Sequence, residues 1–222
     1  MYDIIYRAAR ERVVAVARAL TADQLRLRVS GTPKWTVHEL IGHMVGVASD
    51  ATTGRMDGAI SDAWTERHVS ERRGRELGEL LAEWESLAPA AEAQLARTTR
   101  TPNMAFDLIC HEGDLREALG LPRLERPGWE PFLEIMANTL GRQLNADGCL
   151  EIRDETGRTW TFGSGEPKTL LRVDGYEIVR AVFSRRSQHQ IACWDWDPAP
   201  PAALSAVGVF GPRADDQPVP VP

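Results

Sequence analysis

The chain has 222 residues, with 26 basic against 32 acidic side chains, a formal charge of −6 and 43% apolar residues. It therefore has material for one large domain or two modest ones with their own cores, and is neither disordered nor collagen-like. The charge is even, −3 over residues 1–122 and −3 over 123–222. Basic runs are as short as Arg72-Arg73-Gly74-Arg75 and Arg185-Arg186, which argues against a nucleic-acid partner.

The first helix is expected over residues 3–20, where Ile5, Ala9, Val13, Val16 and Leu20 fall on one stripe. Arg7, Arg10, Arg12 and Arg18 interrupt its apolar pattern, so neither a signal peptide nor a membrane span is expected there. Thr21-Ala-Asp-Gln24 offers a capping box to a short turn. A second box follows, in which Thr36 caps, Glu39 answers at the third position and Trp35 can staple onto Leu40. The helix it starts passes Gly42 and Gly46, whose missing side chains admit a close neighbour.

A loop or broken helix with Gly54 and Gly58 then leads to a polar helix over 70–97, with Leu77, Leu80, Leu81, Trp84, Leu87 and Leu95 on its apolar face. Thr101-Pro102 supplies a start and Leu119-Gly120-Leu121-Pro122 a stop for a fourth helix over 102–118. Four such helices predict a four-helix bundle over residues 1–122.

Beyond a linker near 121–129 the period changes. A helix is expected from Trp129 to Ala146, and strands over 149–153, 158–162 and 170–173, the first two joined by Asp154-Glu-Thr-Gly157. A helix from Tyr176 to Phe183 and an extended segment from Gln190 to Trp194 follow. Residues 123–222 thus read as a small α+β domain, making the chain α+β overall, and the proline-rich end from Arg213 reads as a disordered tail.

The helical half carries the chemistry. Asp107 and His111 are four apart, so a carboxylate and an imidazole share one helix face, and Asp114 extends that face by a turn. His43 shares a stripe with Leu40 and Val47 and points to the bundle interior. Two imidazoles and one carboxylate suit Zn²⁺ or a related divalent ion and leave a coordination position open. A hydrogen-bonded helix pair explains the Asp107–His111 spacing equally well. Asp114 or a backbone group is expected to take the second ring N–H of a ligating histidine.

His38, His68 and His189 have no partner at useful local spacing and read as surface residues; Trp84 reads as core. Three isolated cysteines without CxxC spacing fit a reducing compartment, so the cytoplasm is expected; Cys110, Cys149 and Cys193 read as core or filler. Neither a dinucleotide or P-loop fingerprint nor a nucleophile elbow is present in the sequence.

The run Trp35-Thr-Val-His-Glu-Leu-Ile-Gly-His43, followed by Asp107-Leu-Ile-Cys-His111-Glu-Gly-Asp114-Leu-Arg-Glu-Ala-Leu-Gly120, resembles the mycothiol-dependent maleylpyruvate isomerase family, related to DinB-like metal-binding bundles. Val182-Phe-Ser-Arg-Arg-Ser187 and Val209-Phe-Gly-Pro-Arg213 are similar to that family's carboxy-terminal domain. The resemblance implies a divalent metal, usually zinc, held by His43, His111 and the carboxylate between them. Asp107 stands where the family has glutamate, one methylene longer.

It also implies mycothiol as cofactor and an electrophilic small-molecule substrate; the charge balance and the arginines of the first helix already argue against nucleic acid and membrane partners. The thiolate adds to an activated double bond, the bond rotates, and elimination restores the alkene; without elimination the product is an S-conjugate. An anionic substrate needs a cationic clamp, for which Arg142, Arg180, Arg185, Arg186 and Arg213 are available. Arg185 and Arg186 rank first, as catalytic-site candidates, against the alternative of a solvated surface pair. A non-catalytic metal or small-molecule sensor on the same bundle is the competing function.

Overall fold

The computed structural model describes residues 1–101, 103–144 and 149–220. They form two compact units, the first spanning Met1–Leu124 and the second Glu125–Val219.

In the first unit, α1 (Tyr2–Arg18) is followed by the one-turn helix α2 (Ala22–Leu25), a short antiparallel hairpin of β1 (Arg28–Val29) and β2 (Thr32–Thr36), then α3 (Val37–Thr53), α4 (Asp62–Arg72), α5 (Leu77–Ala96) and α6 (Met104–Leu119). Helices α1 and α3 each pack against both α5 and α6, which closes a four-helix bundle, while α4 lies on α3. Tyr6, Val13, Leu40, Leu80, Trp84 and Phe106 fill the interior. Trp84 donates its indole N–H to the Tyr6 hydroxyl at 2.8 Å, and burial pushes that hydroxyl's pKa up to about 12. Glu112 of α6, buried, takes both nitrogens of the Arg12 fork at 2.8 and 2.7 Å and ties α6 to α1.

Both expected capping boxes are formed, Thr21 with Gln24 and Thr36 with Glu39, and Gly120 ends α6 in the left-handed conformation. Three expectations are corrected. The helix placed at 70–97 is two helices, because α4 starts at Asp62 on a Ser61 cap and a turn separates it from α5. Helix α6 is capped by Asn103, which accepts from the Ala105 N–H at 2.9 Å, rather than by Thr101; Pro102 lies outside the described residues. The β1–β2 hairpin ahead of α3 was not expected; it places Trp35 one residue before the Thr36 cap.

The second unit begins with α7 (Arg126–Leu144); the remainder of the helix expected to Ala146 lies outside the described residues. A four-stranded sheet follows, from β3 (Leu150–Arg153), β4 (Thr159–Phe162), β5 (Thr169–Arg172) and β6 (Asp195–Asp197), in the order β4-β3-β5-β6. The β3–β5 pair is parallel and the other two are antiparallel. Helix α8 (Gly175–Val182) packs on α7.

The segment expected as extended from Gln190 is instead the end of a short helix, α9 (Gln188–Ala192). Ser187 and Gln190 form a capping box there, so local hydrogen bonding at the start outweighs the strand-like alternation. The final strand comes after it, and the Trp194 and Trp196 rings stack with centroids 6.5 Å apart. The tail expected to fray is pinned through Gln217. Asp216 accepts from Ser187 and pairs with His189, while Gln217 exchanges two hydrogen bonds with Gln190. Cys193 is exposed, not a buried filler, whereas Cys110 and Cys149 are buried. Among the described residues no helix is long and apolar enough to cross a membrane.

Candidate metal centre

The Thr36–Glu39 box sets the phase of α3, and that phase turns Val37, Leu40, Met44 and Val47 inward together with His43, which is 1% exposed. From α6, Asp107 in the first turn and His111 one turn later point to the same place. Asp107 Oδ1 stands 3.6 Å from His43 Nε2 and 3.5 Å from His111 Nε2. One donor atom from each residue lies within 4.8 Å of the others. The two imidazoles meet edge to face, with centroids 4.9 Å apart, and Trp35 covers His43 at 4.7 Å. Both histidines are buried, while the Asp107 side chain keeps 31% of its surface exposed and marks the open side.

Each histidine has its other ring nitrogen engaged. His111 Nδ1 is 2.9 Å from Oδ2 of buried Asp114, so α6 supplies both a candidate ligand and the group that orients it. His43 Nδ1 is 3.3 Å from His68 Nδ1, and His68 Nε2 is 2.8 Å from Asp50 Oδ2. Asp50 in turn takes Arg67 Nη2 at 2.5 Å, with Arg55 Nε at 3.6 Å. Cys110, His111 and Asp114 form a second, fully buried grouping that shares His111. Asp114 is already bonded to Nδ1 there, which suits support more than ligation.

The electrostatics follow from this crowding. Burial alone lowers the pKa of His111, but Asp107 and Asp114 outweigh it and raise the value to about 9. Burial dominates at His43, which falls to about 4 although Asp107 works against it. Asp107 is driven well below the usual carboxylate range: burial would raise it, and the two imidazoles more than offset that. Without a metal, His111 is therefore an imidazolium paired with Asp107 while His43 is neutral.

Two imidazole nitrogens and a carboxylate oxygen converging from α3 and α6 match the donor chemistry of Zn²⁺ and related divalent ions. The shorter arm of Asp107 still reaches both nitrogens, so its carboxylate position is compatible with a shared ion.

His68 and Asp50 are the residues that sequence reasoning missed. His68, expected at the surface, is fully buried in the middle of α4, and Asp50 is 1% exposed. The available signal was Gly46: a Cβ there would fall within 3.0 Å of three carbons of the His68 side chain, so the glycine is the slot that admits the ring. Gly46→Ala is accordingly expected to overpack the α3–α4 contact and cost about 1–3 kcal/mol in denaturant unfolding. An unchanged midpoint would show that the helices part without cost.

Arg185 and Arg186 do not form the solvated pair considered above. Both are buried in the second unit. Arg186 grips Glu177 through Nε and Nη2 at 2.6 and 2.7 Å, and Arg185 Nη1 donates to the Phe183 carbonyl at 2.6 Å. Arg180 is buried too, and the Arg213 backbone N–H is bonded to the Arg186 carbonyl at 2.9 Å. Burial with these partners is what packing of the second unit requires of such charges.

Residues 6–106 match the family model described as the mycothiol maleylpyruvate isomerase N-terminal domain, a stretch that contains His43, Asp50 and His68 and stops one residue before Asp107. No curated protein matches the chain. Two similar solved structures are the crystal structure of the mycothiol-dependent maleylpyruvate isomerase and that of a histidine-to-alanine mutant of it. The first is 13% identical with a TM-score of 0.54, covering 83% of this chain and 88% of the other. The mutant is 14% identical with a TM-score of 0.53, covering 82% and 88%. At such identities the likeness speaks for a shared fold, over most of both chains. Over residues 6–106, then, this chain is similar to the mycothiol maleylpyruvate isomerase N-terminal domain family.

Proposed function

We propose that the protein is a divalent-metal-dependent enzyme that uses a low-molecular-weight thiol, mycothiol in the family it resembles, to isomerise or conjugate an electrophilic small molecule such as an unsaturated acid. The observation that carries this reading is the convergence of His43 Nε2, Asp107 Oδ1 and His111 Nε2 with both Nδ1 atoms already engaged.

A divalent ion held by these three residues, most suitably Zn²⁺, supplies one thing: it lowers the pKa of a coordinating thiol so that the thiolate is available near neutral pH. The chain's own groups do the rest. His43 and His111 present neutral nitrogens, so Asp107 is the one charged ligand, and the buried Asp114 carboxylate behind His111 balances the second charge of the ion. Asp114 accepts a hydrogen bond from His111 Nδ1–H and holds its ring in place. Trp35 covers His43 and excludes water from that side, leaving the side of Asp107 for the thiol and its acceptor. In this reading Arg185 and Arg186 have structural roles.

The test is turnover of maleylpyruvate or a related unsaturated acid by the zinc-loaded chain with mycothiol, measured with and without chelator. Thiol-dependent turnover that chelation removes supports the proposal. Zinc binding without turnover by any thiol and electrophile pair tried would assign the chain to a sensing or binding role. Absence of zinc binding would overturn the metal site itself.

A further inference from the structure

We propose that His68, clamped by Asp50, is a positioning residue that decides which nitrogen of His43 carries the proton, so that Nε2 faces the metal centre as a lone pair. The inference deepens the metal-site reading above and rests on it for its functional meaning, but its geometry stands alone.

The chain of contacts is directional. The Asp50 carboxylate carries only acceptors, and it is kept ionised because His68 and Arg67 outweigh the effect of its burial. His68 Nε2, 2.8 Å away, must therefore carry a proton and donate. The Asp50 charge is already met by Arg67 Nη2 at 2.5 Å, so a second cation on the fully buried His68 ring would lack a counter-charge; the ring is neutral and its Nδ1 is a lone pair. The atom facing that lone pair, at 3.3 Å, is His43 Nδ1, which must donate in turn. His43 Nε2 is then left as a lone pair, directed at Asp107 and His111.

The opposite assignment, with the His43 proton on Nε2, requires His68 to donate from Nδ1. A neutral His68 would then face the Asp50 carboxylate with a lone pair, two acceptors 2.8 Å apart in the interior.

The surroundings commit the protein to this arrangement. His68 is fully buried, Gly46 clears the space its ring occupies, and Trp64 packs against it with centroids 4.2 Å apart. Arg67 and Arg55 reach Asp50 from the outer side, so the buried carboxylate is balanced without drawing on His43. A histidine needed only to fill space could be replaced by a phenylalanine, and would not need a carboxylate behind it.

Three variants separate positioning from packing. In Asp50→Asn the shape is kept, and the amide can donate to His68 Nε2 and so permit the wrong tautomer. His68→Phe keeps the volume without polar atoms, whereas His68→Gln can accept from His43 and donate to Asp50. Competition of Zn²⁺ with a chelating dye on the full chain is expected to show affinity about 10–100-fold weaker in Asp50→Asn and His68→Phe, and largely restored in His68→Gln.

A second readout needs no metal: long-range proton–nitrogen NMR of the metal-free chain at neutral pH is expected to place the His43 proton on Nδ1. Equal zinc affinity in all three variants, or a His43 proton on Nε2, would overturn the proposal. If the wild-type chain binds zinc but performs no thiol chemistry, the proposed function fails and this inference stands. If it binds no zinc, the tautomer measurement decides alone.

Discussion

His111→Ala is expected to remove divalent-metal binding, with affinity for Zn²⁺ falling by more than the ~100-fold that marks the upper range for loss of a supporting group outside the ligand set. The side chain supplies one of three converging donors, and His43 Nε2 and Asp107 Oδ1 alone form a two-point site. The Asp107 series sharpens the test. Asp107→Asn is isosteric but loses the charge that offsets the ion, so its affinity should fall nearly as far. Asp107→Glu keeps the charge and lengthens the arm to that of the family pattern, so binding should survive. Metal content of protein purified without chelator, with circular dichroism to verify folding, reads all three. Full zinc occupancy in His111→Ala would mean that the ion, if bound, sits elsewhere.

Zinc affinity is expected to climb about tenfold per pH unit between pH 6.5 and 9, the signature of one proton released on binding. In the metal-free chain His111 holds a second proton until about pH 9, and a metal at Nε2 must displace it. His43, with a pKa of about 4, is already neutral over this range and adds nothing to the slope.

The same two histidines give the metal-free chain a stability optimum near pH 6.5. The His111 pKa is raised on folding, so its contribution is fully present below 6.5 and is lost as pH rises through 9. The His43 pKa is lowered, so the unfolded chain binds the extra proton and stability falls as pH drops from 6.5 towards 4. Isothermal titration in buffers of differing ionisation enthalpy reads the proton release, and urea midpoints across pH read the second effect. A flat affinity profile would show that His111 is neutral before metal arrives.

The helix starts and stops at Thr21, Thr36 and Gly120 were legible because each is a local hydrogen-bonding device within four residues of chain. The convergence of His43 with Asp107 and His111 was legible only in part. The i,i+4 pair follows from helical period, whereas its meeting with His43 depends on how α3 and α6 pack.

Helix α4 escaped because its inward face is Trp64, His68, Val69 and Arg72, half of it residue types that read as solvent-facing. Their burial depends on the glycine slot of α3, which is a property of two surfaces and not of either sequence run. Asp50 escaped for the same reason, as a carboxylate near a helix end is ordinarily at the surface. The α9 cap, by contrast, was present in Ser187 and Gln190 and was outvoted by an alternation of apolar residues too short to decide.

The separations along the chain between these contacts bear on the order in which they can form. Asp50 and His68 are 18 residues apart and His43 and His68 are 25 apart, so the pair that aims His43 is a neighbourly affair of two consecutive helices. Bringing α6 against His43 closes a much longer loop, at an entropic cost about 1 kcal/mol greater. During synthesis, α3 and α4 also emerge well before α6. The imidazole can thus be set in its working direction while the rest of its partners are still unmade, and the last helix arrives at a half that is already waiting for it.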